Sequence, residues 1–108
     1  ENKETEFDNA AFGAIGLQTV FPLLCTIKDK ISLETIINKL SIRPREILNL
    51  PKNSISENEI AKLCLFNPNQ QWTFMIGDIL SKSKNSPYIN HSLGGEVLGI
   101  INGLESNL

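Results

Sequence analysis

The apolar residues of this chain change their spacing at Pro51, and that change constrains the fold more than any other feature. Before it they recur at helical intervals; after residue 60 they come in short, dense runs of the kind that make strands. Ile15, Leu17, Val20, Phe21, Leu24 and Ile27 share one helical stripe, which predicts a helix from Ile15 to Ile27. Pro22 falls inside that stripe, where its ring removes a backbone donor and crowds the preceding turn, so a helix kinked or locally adjusted there is expected. Ser32 before Leu33, Ile36, Ile37 and Leu40 predicts a second helix, capped by the serine hydroxyl and favoured by Glu34 near its positive end. A short third helix is expected over residues 43–50, with Pro44 at its first position and Pro51 as its stop.

Beyond Pro51 the run Lys62-Leu63-Cys64-Leu65-Phe66 predicts a buried strand, and Asn67-Pro68-Asn69 a turn. Trp72 to Phe74 reads as a further strand and Asp78 to Ser83 as a helical turn. Glu96 to Ile101 is rich in strand formers and runs into Asn102-Gly103, the strongest hairpin signal in the chain, with scarcely enough residues after it for a returning strand. The layout is α+β, helices first and strands second. Striped helices need something to pack on and the strands are few, so residues 1–52 read as the end of one domain and residues 53–108 as part of another.

Composition excludes several classes of function. A net charge of −2 over 108 residues leaves no basic footprint for nucleic acid. No apolar run approaches the roughly 20 residues that cross a bilayer, so no membrane span is expected. Cys25 and Cys64 lack metal or redox spacing and each lies in an apolar run, which predicts two buried, reduced core thiols. With no secretory signal in view, a cytoplasmic location is expected. The chain opens on Glu1 without an initiator Met, and the expectation is a start partway through a larger protein.

Few residues offer chemistry. Residues 1–13 are expected to form a loop, and Phe12-Gly13 at its end is either a core anchor and the start of a helix or a ligand-contacting turn. The single histidine, His91, lies in a polar turn without neighbouring ligands and reads as solvated. Glu6 and Asp8 read as an acidic surface loop, and Lys82 and Lys84 as a solvated face.

Five segments in order carry a resemblance. They are Ala10-Ala11-Phe12-Gly13 with Ile15-Gly16-Leu17-Gln18-Thr19; Arg43-Pro44-Arg45-Glu46-Ile47-Leu48-Asn49-Leu50; Ala61-Lys62-Leu63-Cys64-Leu65-Phe66-Asn67-Pro68; Trp72-Thr73 with Ser81-Lys82-Ser83-Lys84-Asn85-Ser86-Pro87-Tyr88; and Gly95 to Gly103. Together they resemble the C-terminal part of a dihydroorotase, of the amidohydrolase superfamily. The resemblance implies that residues 1–52 are the last helices of a (β/α)8 barrel and residues 53–108 the C-terminal part of a small β-sandwich domain. It implies a metal-dependent enzyme of pyrimidine biosynthesis that interconverts N-carbamoyl-L-aspartate and dihydroorotate by metal-bound hydroxide. It implies zinc, with ligands before residue 1, and no catalytic or metal-binding residue within this chain. By the same resemblance Phe12 and Gly13 contact substrate, since glycine lets backbone approach a small ring closely and barrel loops bind substrate.

The chain departs from the family pattern at Ala11, where proline is usual, at Gln18, where glutamate is usual, and at Lys62, where aspartate is usual. These departures suggest a second function: a non-catalytic dihydroorotase-like scaffold that partners aspartate carbamoyltransferase. A homodimer is the other assembly the resemblance allows, and a small interaction domain resembling the family by chance is a third reading.

Overall fold

In a computed structural model of the chain, the residues described are 4, 6–10, 13–52 and 54–107. The order of elements is helices first, then a three-stranded antiparallel sheet, as the change of spacing predicts.

The first helix is shorter than its apolar stripe. α1 spans Val20–Thr26, and residues 17–19 form a turn closed by the Thr19 N–H on the Gly16 carbonyl at 3.1 Å. Pro22 is therefore the third residue of the helix, among the first four positions whose N–H groups have no partner within it. Its missing donor costs nothing there, and of the two expectations, kink or local adjustment, the helix shows an adjustment, a late start.

The second and third predicted helices are one run. α2 (Leu33–Ile37) and α3 (Arg43–Ile47) are joined without a break by a π-helical turn over Asn38–Ile42. Pro44 thus lies within a continuous helix. An interior proline offers no N–H to the carbonyl four residues back and presses its ring on it. The wider turn just before Pro44 moves the local bonding to longer spacing and accommodates the ring. Ser32 caps the run as expected, its Oγ accepting from the Thr35 N–H at 3.2 Å. At the far end Asn49 takes φ 52°, the Asn49 N–H donates to the Glu46 carbonyl, and the Leu50 N–H to that of Arg45 at 2.8 Å. That pair of bonds is a Schellman stop, with asparagine in the left-handed position usually given to glycine.

The strands also run longer than predicted. β1 (Lys62–Thr73) continues through Asn67-Pro68-Asn69 instead of turning there. Asn67 pairs with Glu96 and Gln71 with Gly94, so β1 carries two residues more than its partner between those points. Pro68 sits in this bulge, where no ladder donor is required, and the Asn69 N–H donates to Asn67 Oδ1 at 3.1 Å. β2 (Ser92–Asn102) starts four residues before the expected Glu96 and holds the centre of the sheet, between β1 and β3. β3 (Glu105–Asn107) is a three-residue return after a turn in which Gly103 has φ 66°. The helical turn expected at Asp78 to Ser83 is a 3-10 turn over Ile76–Asp78.

Helix and sheet meet where β2 has two successive glycines. A Cβ on Gly95, at φ +77°, would lie 2.7 Å from both Cβ and Sγ of Cys25, and one on Gly94 would lie 3.1 Å from the Thr26 nitrogen. α1 therefore rests directly on the β2 backbone. The Gly94 N–H donates to Thr26 Oγ1 at 2.8 Å, and Trp72 Nε1 donates to the Gly95 carbonyl at 3.0 Å. Phe21 packs edge-on to Phe66, ring centroids 4.8 Å apart. Beside this seam Phe74, Ile79 and Leu93 form a small core, with Ile15, Leu23, Trp72, Tyr88 and Ile89 packed against it.

Cys25 is buried, as predicted; Cys64 is not. The expectation that both thiols are buried fails at Cys64, which is exposed on β1, a strand with no fully buried residue. Much apolar surface stays uncovered, including Ile42, Ile47 and Leu48 on the helical run and Val97, Leu98 and Ile100 on β2. The radius of gyration is 16.7 Å, where a compact chain of this length would have about 13 Å.

Candidate functional site

The turn that the family resemblance ties to substrate begins at the edge of the described residues. Phe12 and Ala11 lie outside them; Gly13 lies within and is exposed. Nothing among the described residues would meet a Cβ placed on Gly13, and its φ is not in the left-handed region, so neither its φ nor any described residue requires glycine there.

What holds the turn is a loop more than seventy residues away in sequence. Asn85 Nδ2 donates to the Gly13 carbonyl at 3.0 Å, and the Ile15 N–H donates to the Asn85 carbonyl at 2.9 Å. One residue thus grips the segment at two points. Asn85 is itself held, its N–H donating to Ser83 Oγ at 3.3 Å. Lys84 Nζ donates to the Ile79 carbonyl at 2.6 Å, so Lys84 braces this loop, and only Lys82 keeps the purely solvated character expected of the pair.

The other end of the turn carries a second clamp. Gln18 Nε2 donates to the Asp78 carbonyl at 2.5 Å, while Gln18 Oε1 accepts from the Leu80 N–H at 3.1 Å. Beside the turn lies an apolar hollow of about 1010 Å³, lined by Ile15, Leu17, Gln18, Phe74, Leu80 and Ile100 among others. Leu17 and Leu80 stand at its rim, 93% and 90% exposed. Backbone groups and two amides dominate this site. It can bind and orient.

The remaining candidates lie elsewhere. His91 is exposed in its turn, with Nδ1 3.2 Å from the Ile89 carbonyl. Glu6 and Asp8 are exposed. Among the described residues no three His, Cys, Asp or Glu side chains come close enough to hold a metal ion. Burial raises the pKa of the Cys25 thiol, against the pull of the Lys28 charge, which keeps it an inert core group at neutral pH.

Asn85 and Gln18 are the site residues that sequence reasoning passed over. Both lie in the quoted motifs, Gln18 even as a departure, yet a hydrogen bond across 60 or 72 residues has no local signature.

No family model matches the chain. Curated relatives do. The dihydroorotase of Trichlorobacter lovleyi is 34% identical over 97 residues, covering 88% of this chain and 23% of its own length. That of Ehrlichia canis is 37% identical over 101 residues, 92% of this chain and 23% of its own length. That of Clostridioides difficile is 38% identical over 100 residues, 90% of this chain and again 23% of its own. The chain spans about a quarter of the length of the curated relatives it matches. Along about nine-tenths of its length, this chain is similar to the C-terminal portion of a dihydroorotase.

Proposed function

We propose that the intact protein is a zinc-dependent dihydroorotase of the cytoplasm, a cyclic amidohydrolase interconverting N-carbamoyl-L-aspartate and dihydroorotate in pyrimidine biosynthesis. In this reading residues 1–52 close a (β/α)8 barrel and residues 53–108 complete a β-sandwich domain. Phe12 and Gly13 touch the bound ring, and zinc is held by residues outside this chain. The observation that carries the reading is the similarity to dihydroorotases along nearly the whole chain. Gly13 is exposed and a Cβ on it would meet none of the described residues, which supports its substrate role. The substrate turn orients; the chemical step belongs to residues elsewhere, and this chain by itself should show no turnover. The test is conversion of N-carbamoyl-L-aspartate by the intact, zinc-loaded protein. Dihydroorotate formation is expected; a zinc-loaded protein that leaves the substrate unchanged would refute the reading.

The departures at Ala11, Gln18 and Lys62 favour a second reading, a non-catalytic scaffold for aspartate carbamoyltransferase. Two of them have a structural place: Gln18 forms the clamp described above, and Lys62 is exposed at the start of β1. A His-x-His pair preceding this chain in the intact protein would count against the scaffold, and co-purification of the two proteins without dihydroorotase turnover would favour it.

A further inference from the structure

We infer that Asn85 and Gln18 are positioning residues, which hold the Gly13 turn in its substrate-contacting form from the 76–86 loop. The inference rests on the reading of Gly13 as a substrate contact and adds what places it. The segment from Gly13 to Gln18 belongs to no helix or strand, so its backbone needs partners from elsewhere. The 76–86 loop supplies them at both ends. The Asn85 side chain takes the Gly13 carbonyl and its backbone carbonyl takes the Ile15 N–H. Because a trans peptide unit directs its C=O and N–H oppositely, fixing the Gly13 carbonyl on Asn85 turns the Ala14 N–H away from that loop.

The second clamp depends on the amide chemistry of residue 18. Gln18 donates to one backbone carbonyl and accepts from a backbone N–H two residues further on, which takes one donor and one acceptor on the same side chain. Both side chains are exposed, so neither is present to satisfy a buried group. What they do is join two loops beside the apolar hollow, which Gln18 itself lines.

The near-isosteric variants Asn85→Asp and Gln18→Met keep the volume close to constant; the first removes the donor to Gly13, the second both the donor and the acceptor of the Gln18 clamp. In the intact protein, hydrogen exchange of residues 13–19 should accelerate about tenfold in each, while residues 92–102 exchange as before. KM for dihydroorotate should rise about tenfold with kcat within about twofold, because substrate orientation weakens while the reacting groups stay in place. Unchanged exchange at residues 13–19 in both variants would overturn the inference, whatever the activity. Faster exchange with unaltered KM would overturn the positioning role and leave a merely structural clamp. A wild-type protein without turnover would refute the dihydroorotase reading and the substrate half of this inference, with exchange still deciding the clamp. If Asn85→Asp fails to fold, Gln18→Met, at an exposed position, gives the same readouts.

Discussion

The seam between α1 and β2 and the Gly13 turn are held in opposite ways. At the seam, backbone lies on backbone: Gly94 and Gly95 leave no room for a Cβ against Cys25 and Thr26, and all but Thr26 are buried. At the turn nothing is packed so closely. Hydrogen bonds from Asn85 and Gln18 join two loops beside an open hollow, each worth about 0.5–1.5 kcal/mol net. A contact of the first kind has no alternative geometry; one of the second can loosen without unfolding the rest. Ligand-binding loops come from the low-stability end of a structure, and the turn assigned to substrate lies there.

If that contrast is sound, changes at the seam should cost stability and changes at the turn should not. The largest effect is expected from Gly95→Ala in the intact protein, which drives a methyl into Cys25 and forces a left-handed φ on a residue with a side chain. It should destabilise by about 3 kcal/mol, read as a lowered urea midpoint. An unchanged midpoint would break the comparison at its strongest point. Next comes Trp72→Phe, which leaves the Gly95 carbonyl without the indole donor and should cost about 1–2 kcal/mol in the same assay.

The smallest effect is electrostatic and lies at high pH. Burial raises the Cys25 thiol pKa in the folded state, so its contribution is present below the ordinary thiol range of about 8.5. That contribution is lost as pH rises through the folded value, because the unfolded chain ionises first. Cys25→Ala should therefore flatten the alkaline fall in stability. A thiol reagent at neutral pH sharpens the point: Cys64, exposed, should label quickly and Cys25 slowly. Equal labelling would mean that the seam opens as readily as the surface.

How much of this was legible in the sequence differs by element. The Ser32 cap, the helix-then-strand order and the Asn102-Gly103 turn region were readable because each depends on neighbours along the chain. The three prolines are only partly legible for a common reason: their effect depends on where an element starts or bulges. Pro22 is harmless three residues into a helix, Pro44 is carried by a π turn, and Pro68 rests in a strand bulge. Cys64 is exposed against expectation because an apolar run does not say which of its residues are buried. The clamps on the Gly13 turn were invisible, since they exist only once β1 and β2 have brought the 76–86 loop beside the N-terminal segment.

Gly13 offers the most direct test, because its surroundings separate function from folding. With no described residue near its Cβ position and no left-handed φ, Gly13→Val should change the stability of the intact protein by less than about 0.5 kcal/mol. A bulky side chain on a backbone that approaches the substrate ring should nevertheless raise KM for dihydroorotate about tenfold or more. Unaltered kinetic constants in a stably folded Gly13→Val protein would contradict the assignment of this turn to substrate.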